Sequence, residues 1–134
     1  MRTHVYVDGY NLYYGSLKKT HHKWLNLHVI CSALMPQNDI RAIRYFTAQV
    51  GGTPHDPDQP NRQQTYFRAL RTLPQVSIHL GHFLTHKVNM PDAVDWAAGR
   101  YTPRLVMKTE EKGSDVNIAT HLLIDAFDNA FDVA

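Results

Sequence analysis

A single cysteine, Cys31, stands in a chain of 134 residues. That scarcity excludes an internal disulfide, and Cys31 reads as a small buried hydrophobe rather than a catalytic thiol. Long apolar runs are also missing: nothing approaches the ~18 residues needed to span a bilayer, so no membrane partner is expected. The chain enters a strand almost at once, which leaves no secretory leader pattern, and a cytoplasmic location is the expectation. Metal signatures are lacking despite nine histidines; there is no HExxH and no Cys/His set with zinc spacing. His21-His22 reads as a solvated loop or helix end, and His79 and His82 as residues in and just after a strand. Excess charge is absent too. The formal net charge is +2, too small to declare a polyanionic partner. The cations, from Lys18, Lys19 and Lys23 to Arg104, Lys108 and Lys112, are scattered, so only the fold could gather them.

What remains is a globular composition, 43% apolar and 19% charged, in a length suited to one domain spanning 1–134. His4–Val7 is a short apolar run closed by Asp-Gly, the pattern of a strand. Helical segments follow from Leu12, broken around Thr20-His21-His22 and closed by Pro36. "RAIRYFTAQV" (41–50) reads as a second strand and "TPHDPDQPN" as a surface loop. A helix is predicted over 62–73, with Asn61 as its cap, and a strand over 76–80. Residues 81–103 read as an irregular excursion carrying Trp96 and Tyr101, followed by a strand over 104–109. The strongest helix is predicted over 114–130, with Ile118, Ala119, Leu122, Leu123, Ala126 and Phe127 as its apolar stripe. Phe131–Ala134 begins a further strand fragment. Alternating strands and helices point to an α/β fold, a three-layer α/β/α arrangement with a mainly parallel central sheet. In such sheets ligands bind outside the carboxyl ends of the strands, where Asp8 stands.

Two stretches could carry chemistry. In "VDGYN", Asp8 lies at a strand end, Gly9 permits close approach, and Asn11 can hold the carboxylate or contact a substrate. A turn with a helix cap explains the same residues equally well. In "EEKGSDVN" (110–117), Ser114 is a natural helix cap and Asp115 suits the first turn, while Lys112 and Gly113 would welcome a phosphate. Asp8 and Asp115, brought together, could bind Mg²⁺ or Mn²⁺, and such an ion activates water at a phosphodiester. Asp125 is a second-rank ligand candidate, about 80° around the helix from Asp115; Asp128 reads as surface and Asp132 as a turn residue. A phosphatase with Asp8 as nucleophile is disfavoured, since Tyr10 occupies the place of its usual second aspartate.

"VYVDGYNLYYG", "WLNL", "IRYFTAQV" and "EEKGSDVNIATHLLIDAF" together resemble the NYN domain family, a branch of the PIN-like nuclease fold. The resemblance implies a metal-dependent ribonuclease with RNA as substrate. It places Asp8 and Asp115 on acidic metal positions, Asn11 on the asparagine of the first motif, and Lys112 and Ser114 within the second. The family's S-x-D-x-D segment does not follow the last helix here, so the PIN-like domain reads as C-terminally incomplete. That leaves a second expectation, a non-catalytic RNA-binding or assembly module, and an open sheet edge that invites a homodimer.

Overall fold

The computed structural model describes residues 1–134. The chain folds as α/β, with an open four-stranded sheet in the order β1-β2-β3-β4 and five helices. Strand β1 (Arg2–Asp8) leads directly into the short helix α1 (Gly9–Leu12), which a π-helical turn, Tyr13–Leu17, extends. Helix α2 (Leu27–Leu34) starts where the Asn26 side chain accepts a hydrogen bond from the Val29 amide. Strand β2 (Asp39–Ala48), helix α3 (Gln59–Leu70) and strand β3 (Val76–Pro91) follow. Then come α4 (Ala93–Ala97), β4 (Pro103–Lys112) and α5 (Ser114–Phe127). β1 pairs with β2, and β2 with β3, in parallel; β3 and β4 run antiparallel.

β2 organises the packing because alternate residues of a strand point to opposite faces. Ile43 and Tyr45 join Leu27 and Cys31 of α2 and Phe67 and Leu70 of α3 in one apolar cluster. Cys31 is therefore a buried core residue, as its chemistry suggested. Fully burying side chains such as Ile43 and Phe67 stabilises by roughly 1.5–3 kcal/mol each. The alternate β2 residues, Arg44 and Phe46, instead meet Asp125 and His121 of α5, and α5 packs across β1, β2 and β3.

Three sequence expectations change. α3 begins at Gln59 with Pro60 in its first turn, not after Asn61, because proline presets the helical φ there. Gly113 at φ +96° precedes α5, and Ser114 is its first helical residue rather than its cap. The excursion over 81–103 is instead a continuation of β3 and the tip helix α4. Residues 76–81 of β3 pair with β2, whereas His82–Pro91 pair only with β4. The outer part is thus a two-stranded arm, roughly 33 Å long at 3.4 Å per residue. At the other sheet edge, Val133 forms a parallel bridge with Thr3, and Asp132, read as a turn residue, pairs with Arg2 at 2.8 Å.

Candidate functional site

The carboxyl ends of β1 and β2 open onto a cleft of about 350 Å³. α1 and the π turn contribute Tyr10, Tyr13 and Tyr14; α3 contributes Tyr66 and Phe67; Trp24, Tyr45 and Phe83 complete an aromatic lining. The rings support one another. Tyr10 lies 4.6 Å from Tyr14 and 6.0 Å from Phe83 between centroids, and Trp24 meets Tyr66 edge-on at 6.1 Å. Such geometries favour aromatic pairs. The polar groups in the cleft include Lys23, Arg62, Gln59 and Gln63.

Each polar group is differently committed. Tyr66 is spent, since its hydroxyl donates to the Leu25 carbonyl at 2.7 Å. Tyr45 is buried, and burial pushes its phenol up to about 12, with the nearby Asp8 charge adding to the effect. It therefore stays a neutral phenol at physiological pH. Gln63 is tied to the end of β2, donating to the Ala48 carbonyl at 2.8 Å and accepting from the Val50 amide at 2.9 Å. Arg62 pairs with Asp56, whose carboxyl it holds below the usual range, with Lys23 contributing. Lys23 makes no ion pair and is the free cation at the rim.

Gly9 explains why Tyr45 fits where it does. A Cβ on Gly9 would lie 2.5 Å from Tyr45 Cζ and 2.7 Å from its hydroxyl oxygen. Gly9→Ala is expected to cost about 2 kcal/mol as the buried ring is forced toward the cleft. Urea denaturation checks this, and a parent-like midpoint would mean that the ring has another place to go.

The residues expected to bind metal are distributed otherwise. Asp8 accepts from the Asn11 amide at 2.9 Å and from the Asn11 side-chain amide at 2.7 Å. Oδ1 thus caps α1, while Oδ2 is held by the Asn11 side chain. Asp115 is exposed in the first turn of α5. Lys112 lies 3.6 Å from Glu110, and the Ser114 hydroxyl donates to Glu111; neither touches Asp8 or Asn11. No group of three or more Asp, Glu, His or Cys side chains is set to hold an ion.

Asp125, the second-rank candidate, stands at the centre of a buried network. It lies 121 residues from His4 in the chain, yet His4 Nδ1 is 3.3 Å from Asp125 Oδ2 and the Tyr6 hydroxyl donates to it at 2.6 Å. Arg44 donates to both carboxylate oxygens at 2.6 Å. Burial alone would raise this carboxyl, but the hydrogen bonds from Arg44, Tyr6 and His4 outweigh it and hold it at about 2. The aromatic cleft was missed in the sequence. Its available signal was "GYNLYYG", in which Tyr10, Tyr13 and Tyr14 repeat at helical spacing after a strand end.

No family model matches the chain, and no solved structure matches it. Among curated proteins, it is similar to 6-hydroxy-3-succinoylpyridine 3-monooxygenase HspA of Pseudomonas putida (strain DSM 28022 / S16), with 34% identity over 157 residues. The match covers 100% of this chain and 50% of the relative, so the chain spans about half the length of the curated relative it matches. This likeness overturns the expectation of a ribonuclease, a phosphodiester hydrolase. The relative is named as a monooxygenase.

Proposed function

We propose that this chain is the ring-binding part of an oxidoreductase, a monooxygenase acting on an aromatic or N-heteroaromatic acid. The observation that carries the reading is the aromatic cleft with Lys23 and Arg62 at the carboxyl ends of parallel strands. Its volume suits a small ligand. The compound in the relative's name combines a pyridine ring with a succinoyl group, and the cleft offers a counterpart to each. Tyr10, Tyr14 and Trp24 would flank the ring. Lys23 would meet the anionic end, and Arg62 would reach it in exchange for Asp56.

A monooxygenase step at a ring C–H position places one atom of O₂ between carbon and hydrogen as a hydroxyl group and reduces the other atom to water. It consumes two electrons and one proton, delivered as hydride by a dihydronicotinamide-class reductant, and a second proton from solvent. This chain's part in that step is to hold and orient the ring. The neutral Tyr45 phenol, at the cleft floor, is suited to donate a hydrogen bond to a ring oxygen or nitrogen rather than to remove a proton. At the level of architecture alone, the alternation of β2 contacts between α3 and α5 supports a three-layer, PIN-like or NYN-like arrangement, and a fold of that kind is compatible with unrelated activities.

The test uses Trp24 as reporter in a Trp96→Phe background, which removes the other tryptophan. Titration with 6-hydroxy-3-succinoylpyridine is expected to quench Trp24 saturably. Lys23→Ala is expected to weaken binding roughly tenfold, the worth of one charge-assisted hydrogen bond. Absence of saturable quenching, or a Lys23→Ala titration identical to the parent's, would remove this reading.

A further inference from the structure

The protein exposes 9050 Å². A folded monomer of 15.4 kDa is expected to expose roughly 7,200 Å². The surplus of roughly 1,900 Å² matches what each partner buries in an obligate homodimer, on the order of 1,000–2,500 Å² per chain. Two surfaces carry groups of exposed apolar residues. One is the β3–β4 arm, where Leu105 and Met107 are exposed on one face of the ribbon, Leu84 and Met90 on the other, and Trp96 and Tyr101 at its tip. The other is the outward side of α5, where Val116, Leu123 and Ile124 are exposed and Phe127 is 90% exposed. Val116, Leu123 and Phe127 recur at helical spacing and form one stripe.

We propose that this chain forms a two-fold dimer in which the arm of each copy lies across the α5 stripe of the other. Three features select a second copy over a partner of different chemistry. Most of the arm's charges are paired within the arm: Arg100 with Asp95, Arg104 with Asp92, and both Lys108 and Lys112 with Glu110, leaving Lys87 as its unpaired cation. Little charge is left to select a polyanion or a charged protein, so the surface on offer is mainly apolar. An isolated two-stranded ribbon is marginally stable in water, and a 33 Å arm needs an apolar face of comparable length; a helix of 14 residues provides about 21 Å of it. Finally, a single two-fold operation covers both surfaces at once, arm on stripe and stripe on arm.

Light scattering coupled to size exclusion on the full chain tests this. The expected mass is twice 15.4 kDa. Met107→Asp on the arm and Phe127→Asp on α5 are each expected to give a monomer, because each face is used reciprocally. Val29→Asp, on α2, changes a residue that is also exposed but lies outside both surfaces, and should leave the dimer intact. Circular dichroism confirms that each variant is folded; a variant that is not is replaced by Leu105→Lys on the arm or Leu123→Lys on α5. A monomeric parent overturns the proposal and would leave the surfaces to another segment or partner. A dimer that persists in folded Phe127→Asp and Leu123→Lys chains overturns the arm-on-α5 arrangement.

Discussion

Asp125→Asn is expected to lower the melting temperature by roughly 10 °C, from a loss of about 3 kcal/mol in a domain of this size. The loss comes from what the substitution leaves behind. Arg44 donates two hydrogen bonds to Asp125, both 2.6 Å, and Asp125 is only 5% exposed. Without the carboxylate, a half-buried guanidinium keeps its charge and loses its counter-ion. A buried ion pair contributes little over a well-packed apolar pair, yet breaking one side of it is costly. The double variant Arg44→Met/Asp125→Leu is therefore expected to recover much of the loss. Thermal melts of the three proteins check this, and a single variant as stable as the parent would mean that Arg44 finds another partner.

The same carboxylate predicts a pH dependence with a definite sign. Asp125 is held at about 2, below its ordinary value, so the unfolded chain takes up this proton before the folded one does. Its contribution is complete above about pH 4 and is lost as pH falls toward 2. The gap in stability between the parent and Asp125→Asn should accordingly be constant from pH 7 down to about pH 5 and should shrink below pH 4. A gap that stays constant to pH 2.5 would place the cost in packing rather than charge.

The limits of the sequence reading follow from which signals are local. β1 was legible because an apolar run closed by Asp8-Gly9 is a local pattern, and α5 because its apolar residues repeat at helical spacing. The face of α5 was not legible. The predicted stripe included Leu123 and Phe127, which point to solvent, while His121 and Asp125, polar by type, face the sheet. Periodicity locates a helix; it does not identify the inner side when both sides carry apolar residues. The arm was misread for a related reason. Beyond Gly81, β3 mixes polar and apolar residues on both faces because most of the ribbon is exposed, and a glycine within it suggested an end. Asp8 and Asn11 do lie together, as their spacing allowed, but as a cap. Asp115, Lys112 and Ser114 belong to the junction of β4 and α5. The nuclease expectation rested on joining those two places, and it is the likeness to a monooxygenase that overturns it. The aromatic cleft, in contrast, draws on Tyr10, Trp24, Tyr45, Tyr66 and Phe83 from five separate segments, which only the fold assembles.

Gly81→Ala is expected to destabilise the protein by about 3 kcal/mol, the upper range for a single overpacking substitution. Gly81 is the last residue of β3 to pair with β2, opposite Ala48, and the chain leaving β4 crosses directly over it. A Cβ at this position would lie 2.4 Å from the Lys112 carbonyl oxygen and 3.3 Å from the Ser114 nitrogen. These atoms are backbone and cannot rotate aside as a side chain would. Either β3 loses its pairing with fully buried Ala48, or the Lys112–Ser114 segment backs away and loosens the entry to α5. Gly15→Ala is the matched control: nothing lies within 4 Å of its added Cβ, and alanine in a helical turn is at least as favourable as glycine. Urea denaturation should separate the two variants clearly, with Gly15→Ala at or above the parent. Hydrogen exchange locates the damage, since loosening the crossing should speed exchange of the Lys87 and Met107 amides in the arm before those of Ile43 and Tyr45 in the core. A Gly81→Ala protein with the parent's midpoint and an equally protected arm would show that the crossing yields at no cost, and the arm would then be anchored elsewhere.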